Sequence, residues 1–353
     1  MSAQLFPGVP AGIDARNVTR WLCGHVDGVL PPLRFEVISG GRSNLTYRID
    51  DQSGRTWVLR RPPLHGVLAS AHDMAREYRI MTALAPTRVP VPATAGLCED
   101  TEVNGAPFFV MDFLEGIVLR STRESEERLD EEQRRAASVQ LVDTLATLHA
   151  LEPDGVGLGG LGRREGYVGR QLRRWHGQWK HVRTRELPLI DEVHARLSAR
   201  IPPQQGTSIA HGDYRLDNVI LSSDGGIAGI VDWELCTLGD PLADLATLQV
   251  YWSEPGEDWS ALPAAPTAVR GFLTREELAQ RYALRSGRDL SELDFYRAFA
   301  YWRLACILEG VYSRYRSGAY GDPDADDADI ESFGRRVPRL AEAAAEAATR
   351  AGR

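Results

Sequence analysis

The spacing of apolar positions over the first third of the chain predicts helices combined with a sheet. After Asp14, a residue type that caps helix N-termini, apolar side chains recur every three or four residues, as is typical of a helix. From residue 34 the apolar and polar positions alternate instead, which predicts strands, and a second helical pattern covers 70–84. The predicted strands lie at 34–39, 44–50, 56–61, 93–98 and 107–116.

The remainder of the chain is predicted to be mainly helical. Short apolar strands flank only the polar stretch at 211–234. The predicted helices lie at 120–149, 167–182, 239–252, 274–284, 293–315 and 340–350. The last of these is rich in alanine and is expected to be an exposed helix. The sequence therefore predicts an α+β protein, and its length suits one large two-lobed domain or two ordinary ones.

Composition and charge narrow the range of partners. The 353 residues are 43% apolar and 25% charged, with a net charge of −8, which argues against nucleic acid or an anionic membrane as the main partner. No run of 18 apolar residues and no signal-peptide pattern occur. The four cysteines show no CxxC or CxxH spacing, so we expect a cytoplasmic protein without disulfides or a zinc site.

The stretch HGDYRLDN at 211–218, followed by IVDWE at 230–234, carries the candidate chemistry. The carboxylate of Asp213 can orient and deprotonate a hydroxyl, and Arg215 can offset negative charge. Asn218 and Asp232 offer oxygen ligands of the kind that Mg²⁺ prefers. The alternative interpretation is that HGD at 211–213 is only a polar turn and DWE at 232–234 only the end of a strand. The full H-x-D-x-R-x-x-N pattern with D-W-E at this spacing favours phosphoryl transfer.

These residues resemble the catalytic and metal-binding loops of the aminoglycoside phosphotransferase family. The wording HGDYRLDNVI and IVDWELCTLGDPLADLA is most similar to a subgroup that also occurs fused to acyl-CoA dehydrogenases. The resemblance implies a protein-kinase-like fold of two lobes, an antiparallel sheet plus helix and then a mainly helical lobe. By that resemblance Asp213 is the catalytic base, and Arg215 occupies the position of a catalytic-loop Lys. His211 would brace the loop, and Asp244 would hold its backbone.

The same resemblance assigns nucleotide-binding residues in the N-terminal lobe, 1–115. Gly41, Ser43 and Asn44 lie in a loop that would cover the nucleotide phosphates, although most Gly-Gly turns are only turns. In this fold, backbone groups of Asp112 and Leu114 would contact the nucleotide base.

The phosphate-binding residue of the third strand, usually Lys in the family, falls on an arginine here. Alternation favours Arg60, which shares a face with Val58, but Arg61 remains an alternative. Glu77 matches the helix carboxylate that pairs with this cation, although a solvated glutamate fits the pattern as well.

The C-terminal lobe, 116–353, would hold the catalytic loop and the acceptor. Only 12 positions separate Asp232 from Asp244, too few for the peptide-binding segment of a protein kinase. We therefore expect a small hydroxylated acceptor, ATP or GTP as phosphoryl donor, and Mg²⁺. The alternative is a non-catalytic nucleotide-binding relative. The sequence leaves the oligomeric state open.

The choice of acceptor depends on charge. The segment 163–185 contains eight Arg or Lys residues and one acidic residue, while an acidic loop lies at 322–327. We assign Trp175 and Trp179 to the core, and a solvated helix face is the plain interpretation of the arginines. An anionic or neutral acceptor is favoured, with hydroxyacyl-CoA the sharpest candidate, and an aminoglycoside or another small alcohol is the alternative.

Overall fold

The computed structural model describes residues 8–40, 44–64, 73–261, 265–317 and 327–352. The chain divides into two compact units, Met1–Glu115 and Gly116–Arg353.

The first unit is built on a five-stranded antiparallel sheet with the strand order β1-β2-β3-β5-β4. Its strands are β1 (Arg34–Gly40), β2 (Leu45–Asp50), β3 (Thr56–Arg61), β4 (Thr94–Cys98) and β5 (Phe108–Asp112), and its helices are α1 (Ala15–His25), α2 (Met74–Leu84) and α3 (Thr101–Asn104). The alternating pattern of β3 places Trp57 and Leu59 in an apolar core shared with α1. Val58 and Arg60 therefore lie on the opposite face of the sheet from that core.

Helix caps in the first unit follow from the local sequence. The Asp14 carboxylate accepts a hydrogen bond from the Asn17 amide at 3.0 Å, and Asp73 caps α2 in the same way through the Arg76 amide. The part of the second predicted helix at 70–72 lies outside the described residues. Within α2, Glu77 is buried together with Met74, Ile80 and other apolar residues.

The second unit is mainly helical and contains two small sheets. Its helices are α4 (Thr122–Arg128), α5 (Glu131–Ala150), α6 (Tyr167–Val182), α7 (Pro188–Ala199), α8 (Pro241–Tyr251), α9 (Arg275–Ser286), α10 (Leu293–Arg316) and α11 (Asp327–Arg350). Its strands are β6 (Ser208–Ala210), β7 (Val219–Leu221), β8 (Ile227–Ile230) and β9 (Thr237–Gly239). Strand β6 pairs with β9 and β7 pairs with β8, both antiparallel.

The predicted α+β fold class is confirmed, while some details differ. Helix α11 is not an exposed helix: Leu340, Ala341 and Ala344 are fully buried, because one side of the helix packs against α10. Trp179 lies in the core as predicted, but Trp175 is only half-buried. The pattern gave no prediction for α7. No helix within the described residues is both long and apolar enough to cross a bilayer.

Candidate active site

Two short antiparallel sheets hold the candidate loops in the second unit. The loop 211–218 connects β6 to β7, and the segment 231–236 connects β8 to β9. Because Val219 pairs with Ile230, the β7–β8 hairpin brings the end of one loop beside the start of the other. The Val231 amide donates to the Asn218 carbonyl at 3.0 Å, so Asp232 follows directly after a residue bonded to Asn218.

Asp244 holds the backbone of the loop 211–218 from α8. Its carboxylate accepts hydrogen bonds from the His211 amide at 2.6 Å and from the Gly212 amide at 2.9 Å. The His149 ring lies 3.3 Å from the same carboxylate and 2.7 Å from the Tyr282 hydroxyl. Burial alone would raise the pKa of Asp244, but hydrogen bonds from His149 and from the Gly212 amide lower it. The buried carboxylate is therefore ionised.

The His211 ring connects the two loops. It is fully buried, and its Nδ1 accepts a hydrogen bond from the Asp213 amide at 3.3 Å. The proton consequently lies on Nε2, which donates to the Val231 carbonyl at 3.0 Å. The ring also packs against Trp233, with 4.6 Å between ring centroids. A single neutral imidazole thus fixes both the backbone of Asp213 and the residue before Asp232.

The side chains of Asp213 and Asn218 are in direct contact. The Asn218 amide nitrogen donates to the Asp213 carbonyl at 2.9 Å and to Asp213 Oδ2 at 3.0 Å. Because both partners are acceptors, this side of the Asn218 amide is the nitrogen, and its oxygen Oδ1 lies on the other side. The Asp213 side chain retains 20% of its accessible surface, so the carboxylate can be reached from solvent.

Arg215 forms a charged cluster around the same carboxylate. Its Nε lies 3.2 Å from Asp213 Oδ2, and its Nη1 lies 3.2 Å from the Asp217 carboxylate. The guanidinium also lies over the ring of Tyr251, 5.1 Å from the centroid, and the Tyr251 hydroxyl is beside Asp213. Burial alone would lower the pKa of Arg215, but Asp213, Tyr251 and the neighbouring carboxylates raise it above its usual range. Arg215 is therefore a fixed cation.

Asp232 adopts an unusual backbone conformation. Its φ of 66° and ψ of 56° lie in the left-handed region, and it is the one non-glycine residue with positive φ within the described ranges. Strained backbone of this kind occurs at functional sites and persists only when its surroundings enforce it. Here the Val231 amide and carbonyl are bonded to Asn218 and His211. In the part of the chain that the structure describes, no group of three or more His, Cys, Asp or Glu is arranged to hold a metal.

In the first unit, the two neighbouring arginines of β3 have different partners. Arg60 forms an ion pair with the buried Glu77 of α2, with 3.1 Å between Nε and Oε2. Arg61 is buried on the opposite face, where it donates to the carbonyls of Asn104 at 3.0 Å and of Gly12. Burial lowers the pKa of Arg61. The Arg61 guanidinium is thus hydrogen-bonded to backbone carbonyls, whereas the Arg60 guanidinium is paired with the Glu77 carboxylate.

The other candidate nucleotide-binding residues lie at the ends of strands. Asn44 is buried immediately before β2, while Gly41 and Ser43 lie outside the described residues. Asp112 ends β5 and is exposed, and its amide donates to the Ala93 carbonyl at 2.8 Å. Leu114 follows two residues later and is half-buried.

Sequence reasoning missed two residues that lie beside Asp213 or its loop. Tyr251, at the end of α8, read only as a helix residue, although it contacts Arg215. Arg303 lies in the apolar run AYWRLACI of α10, and its guanidinium donates to the Gly212 carbonyl at 2.7 Å. A lone arginine within an apolar helix is the signal that could have identified the second of them, because a buried charge needs a partner.

The fold and these loops define a protein of the kinase-like class, with an antiparallel sheet unit and a mainly helical unit. The sequence profile described as "Phosphotransferase enzyme family" matches residues 34–299. The chain therefore belongs to this phosphotransferase family.

Two solved structures are similar to this chain, the first in sequence and fold and the second in fold alone. A crystal structure from Ralstonia eutropha JMP134, provisionally described as an aminoglycoside phosphotransferase, is 33% identical, with a TM-score of 0.80 over 96% of this chain and 98% of that one. A ternary complex of an aminoglycoside phosphotransferase mutant with ADP and hygromycin B shares the fold, at 15% identity and a TM-score of 0.60 over 94% and 98%.

A third relative is a longer protein. Acyl-CoA dehydrogenase family member 10 of Mus musculus is 34% identical over 341 residues, which cover 93% of this chain. The chain spans only 30% of the length of that mouse protein.

Proposed function

We propose that this protein transfers the γ-phosphoryl group of ATP or GTP to a hydroxyl group of a small molecule. Residues 1–115 would form the nucleotide-binding lobe, and residues 116–353 the catalytic and acceptor-binding lobe. The observation that carries the proposal is the accessible carboxylate of Asp213, held by Asn218 and Arg215 and backed by a buried, ionised Asp244. The free cysteines fit a reducing compartment such as the cytoplasm.

Asp213 is the general base in this proposal. Both side-chain contacts from Asn218 and Arg215 use Oδ2, so we assign Oδ1 to the acceptor hydroxyl. As the acceptor oxygen bonds to the γ-phosphorus, its proton passes to Asp213, and the bond from that phosphorus to the leaving diphosphate oxygen breaks. Arg215 offsets the negative charge on the transferred group. His211 and Asp244 keep the loop backbone in place.

Asn218 and Asp232 are the residues that would hold Mg²⁺. The donor set fits this ion, because one carboxylate and one amide oxygen are hard oxygen ligands, and the Asn218 amide nitrogen is already turned towards Asp213. Few protein ligands suffice, since Mg²⁺ usually keeps waters and takes oxygens from the phosphates. When bound, the ion neutralises charge on the phosphate oxygens.

The nucleotide would be held by the first unit. Arg60 is the phosphate-binding cation in this proposal, oriented by its ion pair with Glu77. Gly41, Ser43 and Asn44 would contact the phosphates, and the Asp112 carbonyl and the Leu114 amide would contact the base. The Asp112 amide donates to the Ala93 carbonyl at 2.8 Å, so we assign the base contact at this residue to its carbonyl and not to its amide.

The charge on α6 supports an anionic acceptor. Tyr167 starts this helix, is buried and lies beside Arg303, which bonds the loop before Asp213. Further along α6, Arg173, Arg174 and Lys180 are exposed. Residues 322–326 of the acidic loop at 322–327, which would favour a cation, lie outside the described residues, and its last residue, Asp327, begins α11. Together with the relatives named as acyl-CoA dehydrogenase family members, this favours hydroxyacyl-CoA as the acceptor class.

An acceptor panel tests the reaction and its specificity. Release of nucleoside diphosphate and labelling of the acceptor would be measured with Mg·ATP and Mg·GTP for hydroxyacyl-CoAs, a kanamycin-type aminoglycoside and small amino alcohols. We expect the highest kcat/KM for a hydroxyacyl-CoA and loss of transfer with EDTA. Efficient transfer to the aminoglycoside and none to the CoA ester would reject the acceptor class. Nucleotide binding without transfer to any acceptor would support the non-catalytic alternative.

The two arginines of β3 provide a matched pair of variants. Arg60→Met should weaken nucleotide binding by about 10-fold or more, because it removes a charge-assisted phosphate contact, and it should also lower the unfolding free energy, because it removes the ion pair with the buried Glu77. Arg61→Met should leave nucleotide affinity unchanged and lower the unfolding free energy by about 1–3 kcal/mol, because it leaves the Asn104 carbonyl without its buried donor. Calorimetric titration and thermal unfolding separate the two effects. The reverse pattern would assign the phosphate to Arg61.

A further inference from the structure

Arg303 is a buried cation next to the catalytic loop. Only 7% of its surface is exposed, and its neighbours along α10, Trp302 and Leu304, are buried and carry no charge. Its Nη2 donates to the Gly212 carbonyl at 2.7 Å, across 91 residues of sequence. Gly212 immediately precedes the proposed base, so this contact joins α10 to the residue that sets the direction of Asp213.

The burial of this charge is costly. Transfer of a guanidinium out of water is favourable only when strong hydrogen bonds or an ion pair offset the loss of hydration. Among the described residues, no carboxylate lies within ion-pair distance of Arg303. Its partners are instead the Gly212 carbonyl and, beside it, the Tyr167 hydroxyl at the start of α6. A hydrophobic residue would be simpler to accommodate at this position if packing were its only role.

Two charged groups hold Gly212 from opposite sides. The Asp244 carboxylate accepts the Gly212 N–H at 2.9 Å, and the Arg303 guanidinium donates to the Gly212 carbonyl at 2.7 Å. Gly212 has a φ of 86°, and a Cβ at this position would lie 2.7 Å from the Leu235 carbonyl oxygen. The loop therefore depends on glycine for its conformation, and glycine by itself is flexible. The two charge-assisted hydrogen bonds restrict that flexibility.

Tyr251 borders the proposed base, because its ring lies under Arg215 and its hydroxyl is beside Asp213. Burial raises the pKa of Tyr251, and the positive charge of Arg303 lowers it slightly. The direct link from Arg303 to the loop of Asp213 is the hydrogen bond to the Gly212 carbonyl.

We propose that Arg303 is a positioning residue for phosphoryl transfer, which fixes the Gly212–Asp213 backbone so that the Asp213 carboxylate meets the acceptor hydroxyl. This inference rests on the proposed function. In this scheme Arg303 acts on the proposed base and holds no part of the nucleotide, so its loss should change kcat and leave nucleotide affinity unchanged. A misplacement of a catalytic group by about 1 Å costs roughly 10²-fold in rate.

The test uses two variants of Arg303 and one matched control on the same helix. Arg303→Met should lower kcat by about 10²-fold, with the nucleotide dissociation constant changed less than about threefold. Arg303→Lys keeps the charge and should recover part of the rate. Arg297 also lies on α10, but its guanidinium bonds the Gln249 side chain at 2.7 Å, away from the loop. Arg297→Met should therefore retain wild-type kcat. Assays are run well below each melting temperature.

Hydrogen exchange of the peptide covering 209–219 gives a readout that does not need turnover. The Asp213 amide, bonded to His211, should exchange faster in Arg303→Met and Arg303→Lys than in wild type, and at the wild-type rate in Arg297→Met. If wild type transfers phosphate to no acceptor, the proposed function fails, and the exchange data still decide whether Arg303 positions the loop.

Several results would overturn the inference. The first is a wild-type kcat together with a wild-type exchange rate in Arg303→Met. The second is a loss of kcat that is in proportion to the loss of melting temperature in both Arg303→Met and Arg297→Met. The third is full activity of Arg303→Lys. If Arg303→Met does not fold, Arg303→Lys decides by the same criteria.

Discussion

Replacement of Asp213 by Asn is expected to lower kcat by about 10²- to 10⁴-fold while Mg·nucleotide still binds. The amide keeps the size of the side chain and can still contact Asn218 and Arg215 through its oxygen, so the loop should remain folded. What it loses is the ability to accept the proton of the acceptor hydroxyl. Turnover with the best acceptor and calorimetric titration of Mg·nucleotide measure the two effects separately.

A half-buried carboxylate on α5 provides the control for this substitution. Asp143 pairs with Arg281 at 2.7 Å between α5 and α9 and has no contact with the loop 211–218, so Asp143→Asn should keep full turnover. If Asp213→Asn retained more than about a tenth of the wild-type rate, Asp213 would not be the base, given the usual size of this effect.

Replacement of Asp232 by Ala is expected to abolish most of the Mg²⁺-dependent gain in nucleotide affinity, by about 10- to 100-fold or more. In the proposed site Asp232 supplies the only carboxylate ligand, and the remaining ligand, Asn218, is uncharged. The affinity of nucleotide in the presence of EDTA should change much less. Titrations of ATP and GTP with and without Mg²⁺ check this prediction.

Asp224 provides the matched control for the metal prediction. It lies in the β7–β8 turn of the same hairpin, where its carboxylate accepts bonds from Ser222 at 2.5 Å and from the Gly226 amide at 3.0 Å. Asp224→Ala removes the same charge but should leave the Mg²⁺ dependence intact. Unchanged Mg·ATP affinity in Asp232→Ala would rule out Asp232 as a ligand. An equal loss in both variants would indicate a general effect of charge.

The sequence determined the features that depend on neighbouring residues. Alternation placed Arg60 and Arg61 on opposite faces of β3, and Asp14 marked the start of α1. The spacing from His211 to Asn218 brought the two side chains Asp213 and Asn218 into contact, because five residues of tight turn return the chain on itself. Such patterns are short in sequence, so local geometry and local hydrogen bonds are enough to fix them.

Only the tertiary structure decided which further groups hold the loop beside Asp244, whose contact with the backbone the family resemblance implies. Arg303 meets Gly212 across 91 residues, and the buried His149 supports Asp244 across 95. The sequence likewise did not indicate that α11 is buried, since small alanine side chains are apolar enough to pack but give a weak hydrophobic pattern. Contacts of this kind depend on how helices pack, and a buried charge is stable only where that packing supplies its partners.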